Sequence, residues 1–150
     1  MKHIINCFSF DQLSTHHLYN ILQLRSLVFV VEQQCIFQDI DDSDKGSIHM
    51  WSEDCNQRIT AYLRIIPQDK SGSKISIGRV VVHPDYRKHG LARLLLNQSF
   101  EYINQHWPNQ EIQISAQSYL IDFYSSLGFT VSSEKYVEDG IEHIDMLKIS

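Results

Sequence analysis

Residues 79–92 read Arg-Val-Val-Val-His-Pro-Asp-Tyr-Arg-Lys-His-Gly-Leu-Ala, and they are the part of the chain that says most about its fold. Three consecutive β-branched residues, Val80 to Val82, predict a strand that is covered on both faces. Pro84 ends that strand, because proline cannot donate to a strand ladder. The segment therefore predicts a strand, a sharp turn and a helix that begins at the turn near Gly90.

The start of that helix is suited to an anion. The first N–H groups of a helix have no partner within the helix, and the helix dipole places partial positive charge at the same end. Gly90 lets the backbone approach a ligand closely, and Arg87 and Lys88 add two positive side chains beside it. We therefore expect a ligand that carries phosphate.

The helix after the turn has the clearest pattern in the chain. Its polar face carries Arg93, Asn97, Glu101 and Asn104, and Trp107-Pro108 ends it. Its apolar face repeats with helical spacing and comprises Ala92, Leu95, Leu96, Ser99, Phe100 and Ile103.

The other predicted elements alternate in type along the chain. They are strands at 4–10, 48–53, 59–66, 75–83 and 111–116, helices at 14–31 and 121–127, and a final hairpin of 130–137 with 142–149, turned at Asp139-Gly140. Ser14 is the expected N-cap of the first helix, and Gly128 the residue that ends the last one. The order β-α-β-β-β-α-β-α-β-β predicts one mixed α/β domain over residues 1–150.

Composition narrows the possible functions. The chain has 150 residues, of which 43% are hydrophobic and 21% charged, as in an ordinary globular domain. With no apolar stretch near the roughly 20 residues of a membrane span and no secretory leader pattern, we expect a cytoplasmic protein without a membrane partner. A net charge of −5 argues against nucleic-acid binding. Cys7, Cys35 and Cys55 are widely spaced, which favours reduced thiols.

Arg25 lies on or beside the apolar face of the first helix. One interpretation is a side chain whose stem packs on apolar neighbours while its head reaches water. The alternative is a structural ion pair with a carboxylate such as Glu32 or Asp39. The sequence leaves both open.

The turn also fits a known motif. Arg87-Lys88-His89-Gly90-Leu91-Ala92 matches the Gln/Arg-x-x-Gly-x-Gly/Ala pattern with which GCN5-related N-acetyltransferases (GNATs) bind the pyrophosphate of acetyl-coenzyme A. Residues 22–35, 123–129 and 136–146 extend the resemblance over nearly the whole chain. Together these stretches resemble the ElaA-like branch of the GNAT superfamily.

The resemblance implies a fold and a donor site. The fold is the GNAT acyl-CoA N-acyltransferase fold, a central, mostly antiparallel sheet with splayed strands, flanked by helices. The backbone of Val80, Val81 and Val82 would hold the pantetheine arm and polarise the thioester. Arg87, Lys88, His89, Gly90, Leu91 and Ala92 would hold the pyrophosphate. Gln117 occupies the place, seven residues before Tyr124, where the family often has a coenzyme-binding asparagine.

The resemblance also suggests catalytic groups. Tyr124, in Phe123-Tyr-Ser-Ser-Leu-Gly-Phe129, matches a tyrosine near the coenzyme sulfur, and a phenol with an ordinary pKa of about 10 can protonate a thiolate. Glu32 and His143 are the candidate bases, with a water chain as a further possibility. For His143 the competing interpretation is a half-exposed strand histidine, and for Glu32 a carboxylate that pairs with Arg25.

An acidic loop follows the first helix and contains Asp39, Asp41, Asp42 and Asp44. It does not fit a calcium loop, because the required glycine position holds Asp44 and the required glutamate position holds Met50. The loop is either a solvated surface or a local field that attracts a cationic amine. Since the histidines also lack metal-ligand spacing, we expect no metal.

These observations predict an enzyme that transfers an acetyl group from acetyl-coenzyme A directly to an amine. The acceptor would be a small cationic amine or an amine of a peptide or protein. The competing hypothesis is a non-catalytic module that binds acyl-coenzyme A. A nucleotide-phosphate binder fits less well, because no Gly-x-x-x-x-Gly-Lys-Ser/Thr motif is present. The sequence leaves open whether the chain forms a homodimer.

Overall fold

The computed structural model describes residues 3–149, and within them eight strands form one sheet. The strands are β1 (Ile4–Ser9), β2 (Ile48–Glu53), β3 (Ile59–Ile66), β4 (Ile75–Val82), β5 (Glu111–Gln117), β6 (Thr130–Val131), β7 (Tyr136–Glu138) and β8 (Ile141–Ile149). Their order is β1-β2-β3-β4-β5-β8-β6, and β7 pairs with β8. All of these pairs are antiparallel except β4 with β5. The predicted mixed, mostly antiparallel sheet is confirmed.

Three α-helices flank the sheet in the described chain: α1 (Thr15–Arg25), α2 (Leu91–His106) and α3 (Ile121–Ser126). A π-helical segment, Ser26–Glu32, continues α1 directly. The predicted N-cap of α1 is confirmed, because the Ser14 hydroxyl accepts a hydrogen bond from the His17 amide at 3.0 Å. Between residues 3 and 149, no helix has both the length and the apolar character to cross a membrane.

The helices cover opposite faces of the sheet. One core contains α1 side chains, such as Ile21 and Leu24, packed on Trp51 and Tyr62 of β2 and β3. The larger core on the other face contains Leu91, Leu95, Leu96 and Ile103 of α2 with Tyr124 of α3. Because successive strand residues point to opposite faces, each central strand supplies both cores. The valines of β4 follow this rule, with Val81 on the α1 side and Val80 and Val82 on the α2 side.

Two irregularities of β4 create the opening in which the site lies. First, a β-bulge shifts the register with β3 by one residue between Gly78 and Val81, and Arg79 there has φ 52°. Second, β4 pairs with β5 at only two positions, Ile75 with Ile112 and Ser76 with Gln113. Beyond Ser76 the two strands separate, and a cleft opens between them.

The C-terminal hairpin differs in part from the prediction. The expected continuous strand at 130–137 is divided into β6 and β7, which both pair with β8. The residues between them stay attached because the Ser132 amide donates to the Asp145 carbonyl and the Ser133 hydroxyl accepts from the Asp145 amide. The predicted turn is confirmed, since Asp139 and Gly140 have φ 51° and 76°, as a two-residue hairpin turn requires.

Candidate active site

A cavity of about 860 Å³ occupies the cleft between β4 and β5. Its walls are the splayed halves of the two strands, the end of the π-helical segment, α3 and the start of β8. Eight residues singled out from the sequence line it: Glu32, Val80, Val81, Val82, Arg87, Gln117, Tyr124 and His143. Chain segments far apart in sequence therefore meet around one space.

The free edge of β4 offers backbone groups to this cavity. The His83 amide donates to the Thr60 carbonyl of the β3 side at 2.8 Å. Because successive N–H groups of a strand point to opposite neighbours, the Val82 amide points away from β3 and toward the cleft. No β5 residue pairs with it, since the β4–β5 ladder ends at Ser76. A ligand in the cleft can accept this hydrogen bond.

The turn before α2 has the geometry of an anion site. Gly90 has φ 73° and forms the N-cap of α2, a left-handed conformation that favours glycine. Arg87, Lys88 and His89 are exposed around it, and Arg87 lines the cavity. Leu91 is buried in the core, so only its backbone can meet a ligand there. Ala92, which follows it, is half-buried.

Tyr124 is buried at the wall of the cavity. Its side chain is 6% exposed, and its ring packs edge-on against Phe123 and Phe129, with centroid distances of 5.1 Å and 5.8 Å. Burial raises the pKa of Tyr124 to about 12, because a phenolate is poorly stabilised in an apolar site. The phenol therefore stays protonated at neutral pH and can donate a proton.

His143 lines the cavity near the β7–β8 turn. Its Nδ1 lies 2.7 Å from the carbonyl oxygen of Ile141, and its ring stacks on Tyr136 with centroids 6.0 Å apart. A carbonyl oxygen only accepts, so Nδ1 carries the proton of the neutral ring and Nε2 keeps its lone pair. His143 is thus held in the tautomer that a base at Nε2 requires.

Glu32 and Arg87 form an ion pair at the edge of the cavity. The Arg87 Nη2–Glu32 Oε1 distance is 2.5 Å and the Nη1–Oε2 distance is 3.1 Å. The guanidinium lowers the pKa of Glu32, which makes this carboxylate a weaker base than its ordinary value implies. The sequence interpretation that paired Glu32 with Arg25 is wrong, since Glu32 pairs with Arg87 at the turn before α2 and Arg25 pairs with Asp39 and Asp44.

Several lining residues were not found from the sequence, among them Phe29, Cys35, Phe37 and Arg79. Cys35 follows the π-helical segment, and its thiol donates to the Asp139 carbonyl at 3.4 Å. Arg79 sits in the bulge of β4, with its guanidinium 5.6 Å from the centre of the Phe37 ring. Gln117 donates to the side-chain oxygen of Gln33 at 3.4 Å. Of these residues, only Arg79 was indicated by the sequence. It directly precedes the three valines of β4, and a charged side chain inside a covered strand needs a partner.

The acidic loop and three arginines form a charge cluster beside the cavity. Its members are Arg25, Arg64, Arg79, Asp39, Asp41 and Asp44.

The connections within the charge cluster are short. Arg25 donates to Asp39 at 3.0 Å and to Asp44 at 2.7 Å. Arg64 donates to both oxygens of Asp41, at 2.6 Å and 2.9 Å, and this contact holds the pKa of that carboxyl below its usual value. Arg79 donates to Asp39 at 2.7 Å.

Two sequence interpretations are corrected here. Arg25 is fully buried and does not reach water, and of its two suggested partners Asp39 is right and Glu32 is wrong. The loop is not a solvated surface either, because Asp39 and Asp44 are buried. Of the four aspartates, only Asp42 is exposed, and it pairs with Lys45 at 3.4 Å. Since three arginines balance three aspartates, the cluster supplies little net field for attracting a cation.

Comparison with known proteins places these features in context. The Acetyltransferase (GNAT) domain family matches residues 16–150. Protein ElaA of Escherichia coli is 40% identical over 92% of this chain and 91% of its own, and a UPF0039 protein of Schizosaccharomyces pombe is 39% identical over 91% of both. The crystal structure of ElaA superposes with a TM-score of 0.93 at 36% identity, covering 98% of this chain and 99% of that one. An acyl-CoA N-acyltransferase from Pseudomonas aeruginosa gives 0.93 at 32% identity with the same coverage.

Proposed function

Because the chain belongs to the GNAT acetyltransferase family, with ElaA among its relatives, we propose that it transfers an acetyl group from acetyl-coenzyme A directly to an amine. The observation that carries the proposal is the splay of β4 from β5, which leaves strand amides and a cavity where a continuous sheet would have neither. The exposed turn at Gly90 adjoins this cavity through Arg87. A donor with an extended amide-containing arm and a phosphate end fits both features.

In the proposed complex, the coenzyme binds along the edge of β4. The Val82 amide is oriented to hydrogen-bond a carbonyl of the donor, and Val80 and Val81 form the wall behind it. The start of α2, with Arg87, Lys88 and His89 around Gly90, holds the pyrophosphate through backbone amides and positive side chains. Gln117 lies on the opposite strand and contacts the donor from the β5 side.

The proposed chemistry needs a base for the amine and an acid for the thiolate. His143 Nε2 accepts a proton from the ammonium, directly or through water, and the neutral amine attacks the thioester carbon. A backbone amide of β4 stabilises the oxyanion, which collapses with cleavage of the carbon–sulfur bond. Tyr124 gives its proton to the departing sulfur, and the second proton that the nitrogen loses as the amide forms returns through water to the Tyr124 oxygen. Glu32 is the second candidate base, and its ion pair with Arg87 makes His143 the better supported one.

The charges around the cavity favour a cationic acceptor. Four carboxylates and two guanidiniums line it, namely Glu32, Asp41, Glu138, Asp139, Arg79 and Arg87. This excess of negative charge raises the local concentration of cations. We therefore propose a small cationic amine, or the amine of a peptide or protein, as the acceptor. Cys7, Cys35 and Cys55 are free thiols, which suits the reducing cytoplasm as the place of action.

Replacing Tyr124 by Phe tests the chemistry, because it removes only the hydroxyl and keeps the ring that packs on Phe129. Turnover should fall about a hundredfold while affinity for coenzyme A changes little. The measurements are thiol release with a panel of polyamines, amino acids and peptides, and calorimetric titration of coenzyme A. If the parent binds acetyl-coenzyme A without turnover on any acceptor, the chain is a binding module. Parental turnover in the variant, with chemistry rate-limiting, removes Tyr124 from the mechanism.

A further inference from the structure

In the proposed function, two different anions contact the Arg87 guanidinium. In the structure its guanidinium makes a two-pronged contact with Glu32, and in the proposed function it contacts the donor phosphates. Among residues 3–149, Glu32 is its sole ion-pair partner. One planar guanidinium cannot hold both anions with the same two N–H groups. A donor phosphate that takes those two N–H groups therefore displaces Glu32 from them.

The Arg87–Glu32 ion pair is weak enough for another anion to replace Glu32. Its side chains are 42% and 40% exposed, and an ion pair exposed to water contributes little stability. Phosphates carry more charge than a carboxylate and match the fork of an arginine equally well. Asp41 also lines the cavity, but unlike Glu32 it is held firmly, because it accepts two short hydrogen bonds from Arg64. Glu32 is thus the carboxylate that a bound donor can release.

We propose that the donor phosphates displace Glu32 from Arg87, and that the freed carboxylate then receives a second ammonium group of the acceptor. The inference rests on the proposed function, and it names the substrate class more narrowly as a diamine or polyamine. The attacking nitrogen must be neutral, so it cannot form an ion pair with Glu32. A second, protonated nitrogen of the same acceptor can form this ion pair. Because the site for that ammonium forms as the donor binds, the acceptor binds better to the donor complex than to the free protein.

A double-mutant cycle tests the exchange. Coenzyme A is titrated calorimetrically into the parent, Glu32→Gln, Arg87→Ala and the double variant at low salt. In the parent background Glu32→Gln should tighten binding about two- to fivefold, because the competitor for Arg87 is gone. In the Arg87→Ala background the same change should have no effect. An equal gain in both backgrounds would show general repulsion of a polyanion and would overturn the exchange.

Two controls separate the exchange from other effects of charge. Glu138→Gln removes another carboxylate that lines the cavity but forms no ion pair within the described chain, so its effect should be the same with and without Arg87. S-acetylpantetheine has no pyrophosphate, and its affinity should be equal in the parent and Glu32→Gln. A tighter binding of S-acetylpantetheine to Glu32→Gln would contradict the proposal, because no phosphate would be competing.

Initial rates with saturating acetyl-coenzyme A test the acceptor. The parent should have a lower KM for 1,4-diaminobutane than for butylamine, and in Glu32→Gln the KM for 1,4-diaminobutane should rise to that for butylamine. If the parent has no lower KM for the diamine, or if Glu32→Gln keeps the lower KM, the proposed contact between Glu32 and a second ammonium is wrong. If the parent does not bind coenzyme A, both the proposed function and this inference fail. If it binds and turns over but Glu32 and Arg87 are uncoupled, only this inference fails.

Discussion

The charge cluster and the Arg87–Glu32 pair both join arginine to carboxylates, and the two regions differ in burial. In the charge cluster, Arg25 and Arg64 are buried, and each guanidinium contacts at least two carboxylate oxygens. At the turn before α2, Arg87 is half-exposed, and within residues 3–149 it forms an ion pair with one carboxylate, that of Glu32. The sequence shows the same residue types in both places.

This difference in burial indicates which arginines stabilise the fold and which can bind a ligand. A buried charge stays only where its partners are complete, because the cost of taking it out of water must be offset by those contacts. Arg25 and Arg64 are each held by two aspartates, and neither is among the residues that line the cavity. An exposed arginine with one weak partner can change that partner at small cost. We therefore assign the charge cluster to stability and the turn before α2 to the donor.

The largest expected effect is on stability, from Arg25→Ala. Removal of this guanidinium takes one of two arginine partners from each of the buried carboxylates Asp39 and Asp44, so the free energy of unfolding should fall by about 3–5 kcal/mol. Urea unfolding followed by circular dichroism measures it. Lys45→Ala is the matched control, because it breaks an exposed pair with Asp42 and should change stability by less than about 0.5 kcal/mol. If both variants lost the same small amount of stability, the buried charge cluster would contribute no more than an exposed ion pair, and the distinction would be wrong.

The next effect is on donor affinity, from Gly90→Asp. An added Cβ meets no atom within 4 Å, so the damage should come from the left-handed backbone and from a negative charge beside the phosphates. Coenzyme A should bind at least about tenfold more weakly. Gly72→Asp is the control, since Gly72 also has positive φ and open space but lies in the exposed loop before β4. A folded Gly90→Asp protein with parental affinity would rule out this turn as the phosphate site.

The smallest effect is expected from Arg87→Ala. Because Glu32 already occupies this guanidinium in the free protein, its loss should weaken coenzyme A binding only a few-fold, and less at high salt than at low salt. Arg58→Ala removes an arginine of similar exposure that pairs with Asp85 and should leave the affinity unchanged. A loss that does not respond to salt would point to altered folding of the turn rather than to a lost phosphate contact.

Local patterns predicted much of the fold. Strands β2 and β3 and the end of α2 at Trp107 follow from periodicity and turn residues, which depend on neighbours in sequence. The motif at residues 87–92 predicted a phosphate-binding turn beside a valine strand, and the structure brings Arg87 of that motif and the three valines to one cavity with Tyr124 and His143. What the sequence did not predict is the bulge at Arg79, because a shifted register depends on the pairing with β3.

The sequence suggested Asp39 as one possible partner of Arg25, but the rest of the charge cluster could not be predicted, because its contacts join residues 14 to 40 positions apart. Arg25 on an apolar helix face and Arg64 inside an apolar strand were signals that partners must exist. Without the fold, the acidic loop gave no sign of which carboxylates would be buried. The division of β6 from β7 is similar, since it depends on hydrogen bonds between Ser132, Ser133 and Asp145 on the facing strand.

Hydrogen exchange of backbone amides, with and without coenzyme A, tests the central claim most directly, because it reports the donor site at the level of single amides. Protection should rise at Val82 and at the start of α2, residues 90–92, where the free edge of β4 and the helix N-terminus would hold the ligand. Asp39 to Asp44 should exchange at the same rate in both states. Protection at the acidic loop, with none at Val82 or residues 90–92, would contradict the assignment of binding to one region and stability to the other.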